Sequence, residues 1–141
     1  MPKAAQSIFR LTLRSVPKSV MRVEGYLNKI NAVAGLDEIA MHKLMVSVTE
    51  AVNNAILHGN ASDAKKKVKV RCEVLPGWLL FQIEDEGRGF KAEAVRNPLK
   101  EENLHRSSGR GVFLMRTLMD KVEFTHTPTG MQVRLWLNTN K

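Results

Sequence analysis

The stretch Thr49–Gly59, TEAVNNAILHG, decides how this chain is read. It belongs to a helix-periodic segment, about residues 38–58, with Ile39, Leu44, Met45, Val48, Val52, Ala55 and Ile56 as its apolar positions. Glu50 and Asn54 stand at i and i+4 within it and therefore share one face. Ser47 lies one turn before Glu50 and His58 one turn after Asn54, which makes a polar stripe. One reading is the solvent-facing side of an amphipathic helix. The other is a carboxylate and an amide oxygen placed for a hard cation or for proton transfer. Mg²⁺ takes oxygen ligands and keeps several waters, so one protein amide plus phosphates suffices for it. A carboxylate beside such an ion can act as a general base.

Working outward, residues 7–14 alternate apolar and polar, with Phe9, Leu11 and Leu13 on one face of a first strand. Pro17 opens a helix over about 17–34 that Gly35 ends. Asp37 is the N-cap expected for the helix over 38–58, and the run Gly59-Asn60-Ala61-Ser62 terminates it. Residues 67–75 and 78–85 form a hairpin across Pro76-Gly77. A polar, irregular loop follows over about 91–109, of a length that usually carries function. A short helix over about 111–119 and strands over about 121–127 and 130–138 complete the order. The expected architecture is α+β: one domain over residues 1–141, a two-layer sandwich whose mixed, mostly antiparallel sheet has helices on one face.

Composition narrows the function. The chain has 141 residues, 43% of them hydrophobic, which is enough for a real core. No run approaches the roughly 20 apolar residues that span a bilayer, and the first residues lack a signal-type apolar stretch. Cys72 is the single cysteine, so no internal disulfide or cysteine metal cluster forms. A cytoplasmic protein is expected. The net charge of +8 invites nucleic acid or an acidic partner. The charge is spread along the chain, however, apart from the run Lys65, Lys66, Lys67 and Lys69, and only 8 residues are aromatic. No zinc finger, basic helix or RNA-binding aromatic motif is present, so no direct nucleic-acid role is expected.

Two further motifs carry chemistry. Asp85 is in phase with Leu79, Phe81 and Ile83, the apolar face of its strand, while Glu84 and Glu86 point away. An inward acid at a strand end needs a partner, and an amino group on a flat ligand would serve. Gly87 and Gly89 follow and let a ligand come close. Later, Ser107-Ser108-Gly109-Arg110-Gly111-Val112 runs from the loop into a helix start, where exposed amides bind phosphate.

In this order, E-x-x-x-N on a helix, D-x-G-x-G at a strand end and G-x-G opening a helix, the chain resembles the GHKL ATPase superfamily with its Bergerat fold. Within it the chain looks most like the anti-sigma-factor serine/threonine kinases. Glu50-Ala51-Val52-Asn53-Asn54-Ala55-Ile56-Leu57-His58-Gly59 is close to their N box. Ser108-Gly109-Arg110-Gly111 followed by Met119-Asp120-Lys121-Val122 is close to their S-G-x-G and M-D-x-V pattern. The resemblance implies ATP or ADP with Mg²⁺, Glu50 as general base and Asn54 as the metal-binding amide. It implies Asp85 on the adenine amino group, with Gly87 and Gly89 shaping that pocket. Ser108, Gly109, Arg110, Gly111 and Val112 would line the phosphate side beneath an ATP lid over about 91–110. Arg106 and Arg110 are alternative contacts for the terminal phosphate. The implied substrate is a STAS-type anti-anti-sigma protein, with a sigma factor as a second partner and a homodimer as the assembly. The alternatives are a nucleotide-responsive binding module without kinase activity and a basic nucleic-acid-binding domain.

Overall fold

The computed structural model describes residues 7–87 and 107–140. Five strands form one sheet: β1 (Ser7–Arg14), β2 (Lys67–Leu75), β3 (Trp78–Asp85), β4 (Lys121–Thr127) and β5 (Gly130–Asn138). Their order is β1-β2-β3-β5-β4, so β5 lies between β3 and β4. The sheet is the mostly antiparallel one expected, and among the described residues every pairing is antiparallel. The connections explain this. Adjacent strands β2–β3 and β4–β5 are joined by two-residue turns, which only antiparallel strands allow.

Alternation along the strands separates the faces. Val68, Val70, Cys72 and Val74 of β2 meet Leu79, Phe81 and Ile83 of β3 and Val133, Leu135 and Leu137 of β5 in one core. The helices supply the other half: α1 (Arg22–Ala34) with Val23, Leu27 and Ile30, and α2 (Glu38–Asn54) with Leu44, Val48 and Val52. A third helix, α3 (Ser107–Leu118), adds Val112 and Met115. The Tyr26 and Phe81 rings pack edge to face with centroids 6.5 Å apart, and the Tyr26 hydroxyl donates to the Phe9 carbonyl at 2.8 Å, which ties α1 to two strands. Burial pushes the Cys72 thiol up to about 12, so Cys72 fills space in the core and carries no thiolate chemistry.

The helix ends follow local chemistry. Asp37 caps α2 by accepting from the Ala40 amide at 2.8 Å. Gly35, at φ 63°, ends α1 in the left-handed region that its missing Cβ permits. Three boundaries differ from the sequence expectation. The first helix opens with a 3-10 segment, Pro17–Met21, in which proline supplies the φ but no donor. The second stops being α-helical at Asn54 and continues as a π-turn, Ala55–Gly59. The third begins at Ser107, four residues earlier than expected, so Gly109 and Gly111 lie inside its first turns. Glycine disfavours a helix interior without forbidding it.

Ser47 shows where the polar stripe leads. It is fully buried, and its hydroxyl has no partner among the described residues. The stripe of α2 is therefore not a solvent face. A buried unsatisfied hydroxyl costs about 1–3 kcal/mol. Ser47→Ala is expected to raise stability by about 1 kcal/mol in urea unfolding; a loss of stability would mean that the hydroxyl is bonded in solution.

Candidate active site

The site has two poles, one on α2 and one where the π-turn that continues it meets the end of β3. At the first, Glu50 and Asn54 sit half-buried on the face turned toward α3. A Cβ on Gly111 would stand 2.6 Å from Glu50 Oε2 and 3.4 Å from Asn54 Nδ2. The glycine of α3 thus lies directly over the carboxylate and amide of α2, and a side chain there would push the Glu50 carboxylate aside. Residues far apart in sequence, 50, 54 and 111, are brought together here.

The second pole is at the end of β3. Asp85 is 7% exposed, at the tip of a strand whose other inward residues are wholly apolar. Its Oδ1 accepts from the Gly87 amide at 3.0 Å and the Met131 amide at 3.2 Å. Oδ2 rests against Gly59, where a Cβ would overlap the carboxylate. A Cβ on Gly87 would overlap the Gly59 carbonyl, and one on Gly130 the Asp85 carbonyl. Three glycines from three segments leave room for the buried acid. Burial raises the Asp85 pKa above the usual carboxylate value, and the two amides, then the nearby charges of His126 and Lys66, pull it partly back.

Other expected positions fall differently. Arg110 is exposed at the start of α3, and Val112 is buried in the core, so only its backbone remains for a ligand. Ser108 and Gly109 lie in the first turn of α3. Gly89 and Arg106, with most of the expected lid over 91–110, lie outside the described residues.

Sequence reasoning missed Gly59 and Asn60, which it took for a helix stop. The turn Ala55–Gly59 winds more loosely than an α-helix, and Asn60 N closes it on the Ala55 carbonyl at 2.8 Å. That places the Gly59 backbone under Asp85. Such π-turns concentrate at functional sites. The only signal available was a Gly-Asn pair directly after the E-x-x-x-N helix.

Among the described residues no group of three His, Cys, Asp or Glu side chains could hold a metal. A cation at the first pole would draw on the Asn54 amide and otherwise on ligand oxygens and water, which is the donor set Mg²⁺ tolerates. The donors present fit that ion.

The histidine kinase-like ATPase domain family matches residues 13–137. The anti-sigma F factor of Bacillus subtilis is 34% identical over 110 residues, 75% of this chain and 73% of the relative. The chain belongs to this ATPase family, in its anti-sigma-factor kinase branch. Similarity extends to the anti-sigma F factor of Oceanobacillus iheyensis, 35% identical over 96 residues, 66% of this chain and 64% of that relative. The serine-protein kinase RsbW of Listeria innocua is 26% identical over 119 residues, 80% of this chain and 76% of the relative. The chain thus spans less than two thirds of the length of the Oceanobacillus relative. In fold, the crystal structure of the RsbU and RsbW domains of a Mycobacterium tuberculosis protein superposes with TM-score 0.70 at 18% identity. That likeness covers 94% of this chain and 32% of the other. No described helix is long and apolar enough to cross a membrane.

The raised pKa of Asp85 makes a stability statement. A carboxyl whose folded pKa exceeds its unfolded value costs the folded state stability once both forms are ionised. That cost fades as pH falls through the folded pKa toward the unfolded one. Asp85→Asn should therefore melt no lower than wild type at pH 7, with any advantage shrinking toward pH 4. A variant that melts well below wild type at pH 7 would show that the charge itself stabilises the fold.

Proposed function

We propose that this chain is an ATP-dependent protein serine/threonine kinase that acts as an anti-sigma factor in a partner-switching module. Its substrate is a STAS-type anti-anti-sigma protein, and a sigma factor is the partner it sequesters. It works as a homodimer in the cytoplasm. The observation that carries the reading is the approach of Gly111 to Glu50 and Asn54, with the buried Asp85 against the π-turn that continues the same helix. Glu50 and Gly59 lie on the order of 10 Å apart along α2 and its π-turn, a length suited to a nucleotide rather than to a small metabolite.

The roles follow from the chemistry. Asp85 accepts from the adenine amino group through Oδ2, since both amide bonds from the chain fall on Oδ1. Gly87 keeps that pocket thin, Gly89 is assigned to the same pocket, and Asn54 would hold Mg²⁺ through its amide oxygen. Bound Mg²⁺ neutralises charge on the phosphates. The amides of Ser108, Gly109, Gly111 and Val112 and the Arg110 side chain face the phosphates. Glu50 takes the proton from the substrate hydroxyl. The hydroxyl oxygen bonds to the terminal phosphorus, the bond from that phosphorus to the bridging oxygen breaks, and ADP leaves with the electron pair. Similarity to proteins named serine-protein kinase and anti-sigma F factor supports this reading.

The test is phosphotransfer from γ-labelled ATP with Mg²⁺, in dialysed extract of the source organism, with Glu50→Gln alongside. A labelled small protein is expected with wild type, and at least about 100-fold less label with the variant. ATP binding without Glu50-dependent label would favour a nucleotide-gated binding module instead.

A second variant tests the geometry. Gly111→Ala sets a methyl 2.6 Å from Glu50 Oε2. It should fold, since alanine suits a helix, and should lose most transfer. Wild-type transfer rates in this variant would remove Gly111 from the site.

A further inference from the structure

We propose that Asn60 is the positioning residue for the adenine side of the site, so that nucleotide affinity and base selection depend on its side-chain amide. This rests on the nucleotide reading above. Asn60 is 1% exposed, and each half of its amide is engaged. Nδ2 donates to Ser15 Oγ at 2.7 Å and to the Lys67 carbonyl at 3.0 Å. Oδ1 accepts from the Glu86 amide at 2.8 Å. Ser15 Oγ in turn donates to the Lys66 carbonyl at 2.8 Å, and Glu86 Oε1 accepts from the Lys67 amide at 2.8 Å. The result is a closed set of bonds joining the end of β1, the start of β2 and the end of β3.

The location of these bonds gives Asn60 a role in the site. Glu86 lies between Asp85 and Gly87, and Asn60 directly follows Gly59. One side chain therefore fastens the two segments whose backbones enclose the Asp85 carboxylate. Without it, the Gly59 carbonyl and Gly87 lose the tie that keeps them in contact. The adjoining backbone is held against its preference: Ala61 and Ser62 adopt φ 52° and 57°, uncommon for residues with a Cβ. Strain of this kind persists only where the surroundings over-determine it. Glu50 and Asn54 lie in the α-helical part of α2, before the π-turn, and none of these bonds involves them.

Calorimetric titration of the full chain with ADP and with GDP tests the idea, using wild type, Asn60→Ala, Asn60→Asp and Ser15→Ala. Asn60→Ala is expected to weaken ADP by about tenfold or more and to narrow its preference for ADP over GDP, while the number of sites per folded chain stays unchanged. Asn60→Asp keeps the acceptor for Glu86 but loses both donated bonds, and should fall between. A purely structural role would lower the fraction of competent chains and leave both dissociation constants alone; that result overturns the proposal. If Asn60→Ala fails to fold, Ser15→Ala decides: weaker ADP with reduced base preference supports the proposal, and unchanged values overturn it. Wild type that binds no ADP brings down the nucleotide reading and this inference with it. Wild type that binds, beside folded variants that bind equally, overturns this inference alone.

Discussion

The structure turns on a carboxylate buried against the backbone of three glycines. Asp85 occupies the end of a strand whose inward neighbours are apolar, and it can lie there only because Gly59, Gly87 and Gly130 carry no Cβ. Two backbone amides replace part of the water it has lost. One of them, from Met131, is within reach because β5 is inserted between β3 and β4. With the strands in sequence order, β4 would face Asp85 instead. Strand order, the π-turn after Asn54 and the glycine pattern thus serve one constraint: room and donors for a single buried acid.

The other pole is built on the opposite principle. Glu50 is half-buried and faces α3, whereas Asp85 is almost fully enclosed at the end of its strand. A base that must take a proton benefits from access, and an acceptor that must recognise a flat amino group benefits from a dry, fixed pocket. Glu50 stands on α2 and Asp85 at the end of β3, where the Gly59 backbone of the π-turn that continues α2 lies against it. The helix and its π-turn therefore join the two poles.

Much of this was legible in the sequence, for physical reasons. Period-two alternation in residues 79–85 fixed the inward direction of Asp85, and the i, i+4 spacing fixed the shared face of Glu50 and Asn54. What that face turns toward was not legible, because spacing along one helix says nothing about its neighbour. Ser47 belongs to the same stripe as Glu50 but lies fully buried. The π-turn was equally hidden. Ala55-Ile56-Leu57-His58 reads as ordinary helix, and only the tertiary bonds of Asn60 show why it winds otherwise. The start of α3 was placed too late because glycines were read as a boundary, although packing of Val112 and Met115 into the core holds the helix beyond them.

The buried polar groups then divide by cause. Ser15, Asn60 and Asp85 lie at one end of the sheet and bond to one another's segments or to backbone amides there. Ser47 lies apart from them in the core, with no partner among the described residues. A fold optimised only for stability would replace polar groups of either kind with apolar ones of similar volume. Replacing Ser47 would leave the remaining geometry intact. Replacing any of the other three would release backbone that encloses the site. The polar groups at the end of the sheet are therefore explained by the position they impose on Gly59 and Gly87, and stability alone does not account for them.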